Sequence, residues 1–199
     1  MKRRADGHHL KDKNRVTYFE EVALPHLDAA YNLARWLTRN DHEAEDLVQM
    51  AFERALKFFD GFRGGDARAW LLTIVRNTYF TSLRDKRHES NDVDFDEEIH
   101  RHDEGGGQAS FSSSYDIGGN PETLATVGDT KRVMNQALES LPPVFKEAVV
   151  LKEIEDLSYK EIAEISGVPI GTVMSRLARG RKLLVEYLKQ HAVGGSNEL

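Results

Sequence analysis

The chain has 199 residues, of which 40% are hydrophobic, so it is long enough for one medium domain or two small ones. No apolar run approaches the roughly 20 residues that a membrane-crossing helix needs, which argues against membrane insertion. The absence of cysteine excludes disulfides, thiolate metal sites and cysteine nucleophiles. The formal net charge of -6, taken alone, argues against a nucleic-acid partner.

The negative charge is concentrated in one segment of the chain. Between His88 and Thr130 there are eleven acidic residues and one basic residue, a local net charge of -10 that leaves +4 for the remainder. A basic surface for a nucleic-acid partner is therefore compatible with the composition. The same segment contains the run GGGQASFSSSYDIGGN, which is too poor in apolar side chains to become ordered, so we predict an acidic, flexible linker at residues 88–130.

The rest of the chain predicts an all-α fold of two small helical domains, because apolar residues recur at helical spacing and no useful length alternates with a period of two. We expect a disordered N-terminal tail at 1–15, helical domains at 16–87 and 131–190, and a C-terminal tail at 191–199. The basic N-terminus lacks the uninterrupted apolar segment of a secretory signal, so we expect a cytoplasmic protein. The predicted helices run from Val16 to Thr38, Glu43 to Asp60, Asp66 to Arg87, Pro121 to Ser140, Pro143 to Lys152, Ser158 to Ile165 and Ile170 to Gln190.

The second predicted helix, in the run DHEAEDLVQMAFERALKFF, has one apolar and one acidic face. From Asp41 to Glu53 there are five acidic residues and no Lys or Arg. Such a face suits a basic protein partner, and Met50 adds an adaptable apolar contact. The macrodipole also stabilises acidic residues near the N-terminus of any helix, which is an alternative explanation for this charge pattern. The apolar face comprises Ala44, Leu47, Val48, Ala51, Ala55 and Phe59, and the other face Glu43, Asp46, Gln49, Met50, Glu53 and Lys57.

The third predicted helix and the loop before it combine cations with aromatic rings. From Gly61 to Arg87 there are six basic and two acidic residues, interleaved with aromatic side chains. Asn77, Phe80 and Arg84 project together, away from the packing stripe. Aromatic stacking, Arg contacts to phosphates and an amide that can bind a base edge are the chemistry of single-stranded nucleic acid. Trp70, by contrast, is more typical of a core.

The C-terminal domain contains a predicted helix-turn-helix. Ser158 and Glu161 form a capping-box pattern that begins a helix. Gly167 and Pro169 end it after about two turns and begin the next helix, which gives the spacing of this motif.

The second helix of this motif has an acid-free polar face. Its packing face contains Val173, Leu177, Gly180, Leu184 and Leu188, and the opposite face contains Thr172, Ser175, Arg176, Arg179 and Lys182. Hydroxyls and cations bind phosphates, Arg suits guanine edges, and a helix fits the major groove. We therefore predict a duplex-DNA-binding face, in preference to an ordinary solvated cationic surface.

Three runs of the sequence carry a family resemblance: DHEAEDLVQMAFERAL, FRGGDARAWLLTIVRNT and LPPVFKEAVVLKEIEDLSYKEIAEISGVPIGTVMSRLARGRKLL. They resemble regions 2 and 4 of bacterial RNA polymerase sigma factors of the extracytoplasmic function (ECF) group, in the sigma-70 family. The resemblance covers both predicted domains, with no separate third domain between them. It implies a subunit that binds core RNA polymerase, selects promoter DNA and helps to open it. It also implies an inhibitory anti-sigma factor, no catalytic residues, no metal and no cofactor.

The resemblance also implies roles for individual residues. Asp46 and Gln49, with Leu47, Met50 and Glu53 beside them, would contact the clamp helices of the largest polymerase subunit. Asn77 would recognise the minus-10 element, with Arg63 of the FRGGDA loop, Phe80 and Arg84 in the same site. The minus-35 element would be bound by Thr172, Ser175, Arg176, Arg179 and Lys182.

Two positions depart from the family pattern. Met50 stands where Glu often follows the Gln, so the polymerase contact is expected to be less electrostatic. Met174 stands where some members have Arg, so their promoter preference cannot be transferred to this chain.

Two other functional classes would use the same residues differently. A conventional regulator would use the same helix-turn-helix as a dimer on palindromic duplex DNA. An enzyme would need a carboxylate site on the acidic helix, or His100, His102 and Asp103 as metal ligands. The acidic helix has no partner motif for acid-base chemistry, and the histidines lie in the predicted linker, where a preformed metal site is not expected.

Overall fold

The computed structural model describes residues 5–90 and 132–192, and in these ranges the chain forms helices and turns with no strand. The all-α prediction is thus confirmed for the described residues. Short 3-10 helices lie at Leu24–His26 and Phe59–Gly61, and a π-helical turn lies at Val150–Ile154. The α-helices are α1 at Ala5–Ala23, α2 at Leu27–Thr38, α3 at Asp41–Lys57, α4 at Ala67–Ser90, α5 at 132–140, α6 at Pro143–Val149, α7 at Tyr159–Ser166 and α8 at Ile170–Ala192.

The N-terminal region differs from the sequence prediction in two ways. The single helix predicted from Val16 to Thr38 is wrong, because the 3-10 turn with Pro25 near its start separates α1 from α2; proline lacks the N–H that a continuous helix requires. Helix α1 also begins at Ala5, inside the segment predicted to be disordered. Its later part is fixed by Arg15, which donates to Asp60 Oδ1 at 2.8 Å and to the Leu56 carbonyl at 2.6 Å.

Helices α2, α3 and α4 pack together as the first module. Asn40 caps α3 by accepting a hydrogen bond from the Glu43 N–H, and Asp66 accepts one from the Ala69 N–H at the start of α4. An aromatic cluster closes one end, where the Phe62 and Trp70 ring centroids lie 4.9 Å apart. The fully buried apolar residues of α2 to α4 include Ala30, Leu33, Ala34, Ala44, Ala51, Ala55, Leu71, Leu72 and Val75.

Helices α5 to α8 form the second module, and its helix-turn-helix matches the prediction. Ser158 and Glu161 make the reciprocal capping box, and α7 ends at Gly167, whose φ of 66° is the left-handed conformation that glycine adopts without strain. Gly180 lets α8 approach α6 closely, since an added Cβ would lie 2.8 Å from Val149 Cγ2. This close approach fixes α8 against α6.

The two modules are packed against each other. Arg68 of α4 donates to Glu155 Oε2 at 2.5 Å and to the Glu155 carbonyl at 3.0 Å. Arg39, at the end of α2, donates to the Leu141 carbonyl at 3.2 Å, and Arg76 of α4 donates to Glu147 Oε1 at 2.6 Å. Charged and polar groups, rather than the linker alone, therefore hold the modules together in this arrangement. The predicted linker at 88–130 falls largely outside the described residues.

Candidate nucleic-acid and protein interfaces

The acidic face predicted for the second helix is formed by α3. Asp46, Gln49, Met50 and Glu53 are all exposed on it, and Gln49 donates to Glu53 Oε1 at 3.1 Å. Met50 is 39% exposed between these polar side chains, which leaves its thioether open to a partner. This face can contact a basic, partly apolar surface.

Leu47 does not belong to that face. Its side chain is only 3% exposed and packs in the core of the first module with Ala44 and Val48. Leu47 thus lies on the apolar side of α3, away from the acidic face, and its contact with polymerase stays a prediction.

The loop before α4 and the outer side of α4 hold the residues predicted to bind single-stranded DNA. Arg63 is exposed beside Gly64 and Gly65, whose φ values of 83° and 103° give the loop a turn that other residues rarely adopt. Asn77 and Arg84 are exposed on α4. The loop and helix thus present amide and cationic groups to solvent.

Phe80 is half-buried and is held between neighbouring groups. The Arg76 guanidinium lies 4.7 Å from the centre of its ring, and the Tyr79 ring packs edge-on at 5.2 Å. Arg76 also donates to Asn77 Oδ1 at 3.0 Å, so it orients both Asn77 and Phe80. Trp70 packs with Phe59 and Phe62, as expected for a core residue.

The second helix of the motif, α8, exposes two of its five predicted binding residues. Ser175 and Lys182 are exposed, and Thr172 and Arg179 are half-buried. The Thr172 N–H donates to the Pro169 carbonyl, and the Ser175 hydroxyl donates to the Thr172 carbonyl. These contacts fix the first turn of α8, from which both hydroxyl side chains project.

Arg176 of α8 lies beside Glu147 of α6. Its side chain is only 13% exposed, and its Nη1 lies 4.0 Å from Glu147 Oε2. Arg176 Nε and Nη1 have no hydrogen-bond partner among the described residues. Burial lowers the pKa of the Arg176 guanidinium, and Glu147 opposes this change. In the packed arrangement of the modules Arg176 is therefore not freely exposed, and its contact with the minus-35 element stays a prediction.

Glu147 is a functional candidate that the sequence prediction missed. Its side chain is 1% exposed, and Oε1 accepts hydrogen bonds from Arg76 Nε at 2.6 Å and from the Ser166 hydroxyl at 3.1 Å. Burial raises the pKa of Glu147, whereas the nearby Arg76 and Arg176 lower it. The sequence signal for it is an acidic residue directly before the apolar run Ala148–Leu151, within the helix predicted from Pro143 to Lys152.

Within residues 5–90 and 132–192, no group of three His, Asp or Glu side chains could hold a metal ion, and no helix is long and apolar enough to cross a membrane. The possible ligands His100, His102 and Asp103 lie outside these ranges. The part of the chain that the structure describes presents an acidic helical face, an amide and cation face, and a helix-turn-helix. Together these define a helical protein with two modules, whose surfaces have the chemistry to contact nucleic acid and a basic protein partner.

Comparison with known proteins narrows this class. Residues 23–89 match the family model for sigma-70 region 2, and residues 131–184 match the model for sigma-70 region 4. The chain is 34% identical over 184 residues to the ECF RNA polymerase sigma factor SigE of Mycolicibacterium smegmatis, an alignment that covers 91% of this chain and 65% of that relative. It is 36% identical over 145 residues to the ECF RNA polymerase sigma-E factor of Escherichia coli, covering 71% of this chain and 72% of the relative.

A solved structure supports the same relationship. The fold is similar to the sigma factor RpoE in complex with the anti-sigma factor NepR from Bartonella quintana, with a TM-score of 0.62, 29% identity, and coverage of 86% of this chain and 96% of the other. CnrH in complex with the cytosolic domain of CnrY shares the fold, with a TM-score of 0.56, 23% identity, and coverage of 86% and 88%. The chain belongs to the ECF group of the sigma-70 family. Sigma factors are non-enzymatic transcription initiation factors.

Proposed function

We propose that this protein binds core RNA polymerase in the cytoplasm and directs it to particular promoters. The observation that carries the proposal is the presence in one chain of an exposed acidic face on α3 and of faces on both modules that present amide, hydroxyl and cationic groups. A regulator that acts without polymerase has no need for the first of these features. No cofactor is required, because the protein binds and separates strands while polymerase carries out the chemistry.

The polymerase contact is assigned to Asp46, Gln49, Met50 and Glu53. Their exposure on one side of α3 supports a complementary fit with a basic surface, for which the clamp helices of the largest subunit are the proposed partner. Met50 supplies an apolar contact where a carboxylate would supply charge.

We assign binding of the downstream, minus-10 element to Arg63, Asn77, Phe80 and Arg84. Asn77 is exposed and held by Arg76, so its amide is oriented before a base arrives. Arg84 and Arg63 are exposed cations that suit phosphates. Phe80 is half-buried beneath Arg76, so its face would become available for stacking only if Arg76 moves.

We assign binding of the upstream, minus-35 element to five residues of α8: Thr172, Ser175, Arg176, Arg179 and Lys182. Ser175 and Lys182 are exposed in the packed arrangement, whereas Arg176 must first become accessible. Weak contacts of the two modules become a strong, spacing-dependent interaction when polymerase holds both on one DNA. An anti-sigma factor is a further proposed partner, by analogy with the sigma factor RpoE that was crystallised with NepR.

The first test is a pull-down of the purified protein with core RNA polymerase, followed by run-off transcription on fragmented genomic DNA from the source organism. Binding to polymerase together with new, sequence-selective start sites is the expected result, and it would identify the promoter motif. If the protein ignores polymerase but binds a palindromic duplex tightly by itself, the conventional regulator is the correct class.

A further inference from the structure

One buried carboxylate lies between two guanidinium groups that come from different modules. Glu147 Oε1 accepts from Arg76 of the first module at 2.6 Å and from Ser166 of its own module at 3.1 Å. Its other oxygen, Oε2, has no hydrogen-bond partner among the described residues, although Arg176 Nη1 lies 4.0 Å away. Arg76 therefore holds the carboxylate, and Arg176 does not reach hydrogen-bonding distance.

The hydrogen bonding of the buried groups between Glu147 and Arg176 is therefore incomplete. Arg176 Nε and Nη1 are buried donors without hydrogen bonds, and Glu147 Oε2 is a buried acceptor without one. Unpaired buried polar groups are costly, and a carboxylate can accept two parallel bonds from one guanidinium. The groups needed to satisfy each other are adjacent, but the carboxylate is turned towards Arg76.

The packed arrangement is incompatible with binding both promoter elements at once. Elements centred about 25 base pairs apart lie about 85 Å apart along B-form DNA at roughly 3.4 Å per base pair. Modules joined by Arg68–Glu155 and Arg76–Glu147 contacts cannot bridge that distance. The modules must separate on the promoter, and Arg76 then leaves Glu147 together with α4.

We propose that Arg76 and Arg176 compete for Glu147, and that Glu147 becomes the positioning residue for Arg176 at the upstream element once the modules separate. This inference rests on the proposed function. After separation, Ser166 and Arg176 are the remaining partners of Glu147, and both belong to its own module. A guanidinium bound to the carboxylate through one edge keeps its other edge for a guanine or a phosphate. While the modules are packed together, Arg176 is therefore inaccessible to DNA, and Glu147, which would orient it, is bound to Arg76.

The first experiment observes the exchange of partners directly in the full chain without DNA. The side-chain Nε–H signal of Arg176 is recorded by NMR in wild type, in Arg76→Ala and in Arg63→Ala. Arg76→Ala is expected to shift this signal downfield and slow its exchange with water, because Glu147 turns to Arg176. Arg63→Ala is the matched control and should leave the signal unchanged, since it removes an exposed cation of the same module outside the contact between the modules. An Arg176 signal that is unchanged in Arg76→Ala overturns the competition.

The second experiment tests positioning in the polymerase holoenzyme, on a promoter found by run-off transcription, with its upstream element intact or scrambled. The ratio of transcription from the two templates measures use of that element. Glu147→Gln is expected to lower this ratio about tenfold, as expected for the loss of one oriented base contact. Combined with Arg176→Ala it should cause no further loss, because both changes remove the same interaction. Ser166→Ala, which leaves the charge of Glu147 intact, should keep the ratio within about twofold.

The outcomes separate this inference from the proposed function. If wild-type holoenzyme yields no sequence-selective transcripts, the proposed function fails and the role of Glu147 at the upstream element fails with it. If wild type transcribes and Glu147→Gln keeps full dependence on the upstream element, only the inference fails. Losses from Glu147→Gln and Arg176→Ala that simply add would also overturn it. Melting curves of each variant identify any loss of folding, and the NMR experiment does not depend on the Glu147 variant.

Discussion

Two adjacent charged residues, Lys146 and Glu147, are buried in α6, and each is accommodated by different physical means. Glu147 keeps a partner of opposite charge, whereas the Lys146 ammonium donates to the Glu139 carbonyl at 3.2 Å and lies near Arg39. Burial lowers the pKa of Lys146 to about 8, and the like charge of Arg39 adds to this effect. Lys146 therefore opposes folding while it is protonated.

This burial predicts a specific dependence of stability on pH. From about pH 8 to about pH 10.4 the unfolded chain binds more protons at this side chain than the folded one, so the free energy of unfolding should rise with pH across that window. Lys146→Met should abolish this part of the rise and stabilise the protein at pH 7 by about 2 kcal/mol, after the lost hydrogen bond is counted. Urea unfolding at pH 7.0 and 9.5 measures both effects.

The control for this prediction is Lys160→Met, which removes an exposed lysine from α7. Its stability should follow that of wild type at both pH values. If wild type and Lys146→Met gain equal stability between the two pH values, Lys146 is not the titrating group.

Among the single residues, Asn77 is expected to affect recognition of the downstream element and not of the upstream one. Its amide is exposed and held by Arg76, so Asn77→Ala removes a base contact without opening the core. Run-off transcription should fall about tenfold, while dependence on the upstream element stays unchanged. Ser82→Ala is the control, because the Ser82 hydroxyl donates only to the Thr78 carbonyl of its own helix. Full activity of Asn77→Ala would remove Asn77 from the site.

At the scale of elements, α3 separates two functions on opposite sides of one helix. Its apolar side packs on α2 and α4, and its acidic side is open to a partner. Because Asp46 and Glu53 are far from the core, their charge can be reversed with little effect on folding. The polymerase assignment can therefore be tested independently of stability.

Asp46→Lys and Glu53→Lys should each weaken binding to core polymerase about tenfold, since they place like charge against a basic surface. The loss should shrink as salt concentration rises, because exposed charges are screened. Glu164→Lys, at an exposed position of α7, is the control and should bind normally. Normal affinity of both α3 variants would refute the acidic contact.

The contact between α6 and α8 gives a prediction for two glycines of the same helix. Gly180→Ala should destabilise the protein by about 1–3 kcal/mol, because the new Cβ would lie 2.8 Å from Val149 Cγ2. Gly171→Ala meets nothing within 4 Å and should stabilise it slightly through higher helix propensity. Thermal unfolding distinguishes the two, and equal effects would contradict the close approach of α6 and α8.

At the scale of the whole molecule, a few polar contacts determine whether the modules act together. Glu155 is 7% exposed, and Arg68 and Asn32 of the first module both donate to it. Removing one partner from a buried ion pair leaves the other charge uncompensated. The arrangement of the modules is therefore sensitive to single substitutions at their contact.

Wild type is expected to unfold in one calorimetric transition, because each module stabilises the other. Arg68→Ala should remove about 2 kcal/mol of coupling and separate the unfolding into two transitions. Arg63→Ala, in the exposed loop before α4, is the matched control and should leave a single transition. If Arg68→Ala also unfolds in one transition at an unchanged temperature, this ion pair does not couple the modules.

The sequence by itself determined the helical class, most helix positions and the helix-turn-helix, because helical periodicity, capping residues and Gly or Pro stops are local properties of the chain. The acidic face of α3 and the exposure of Asn77 followed from the same periodicity. Pro25 was a visible sign of the break between α1 and α2, but the predicted helix from Val16 to Thr38 did not take it into account. Leu47 was placed with its neighbours in the family motif although its own helical position is apolar.

Only the tertiary structure decided the environment of Arg176, the burial of Lys146 and Glu147, and the contacts of Arg68 and Arg76. Glu147 is 71 residues from Arg76 in the chain. No periodic pattern relates two positions so far apart, since their distance depends on how two separately folded modules dock. A helical wheel shows that a charged residue lies on the polar face of its own helix. Whether that face contacts solvent or a second module depends on how the modules pack.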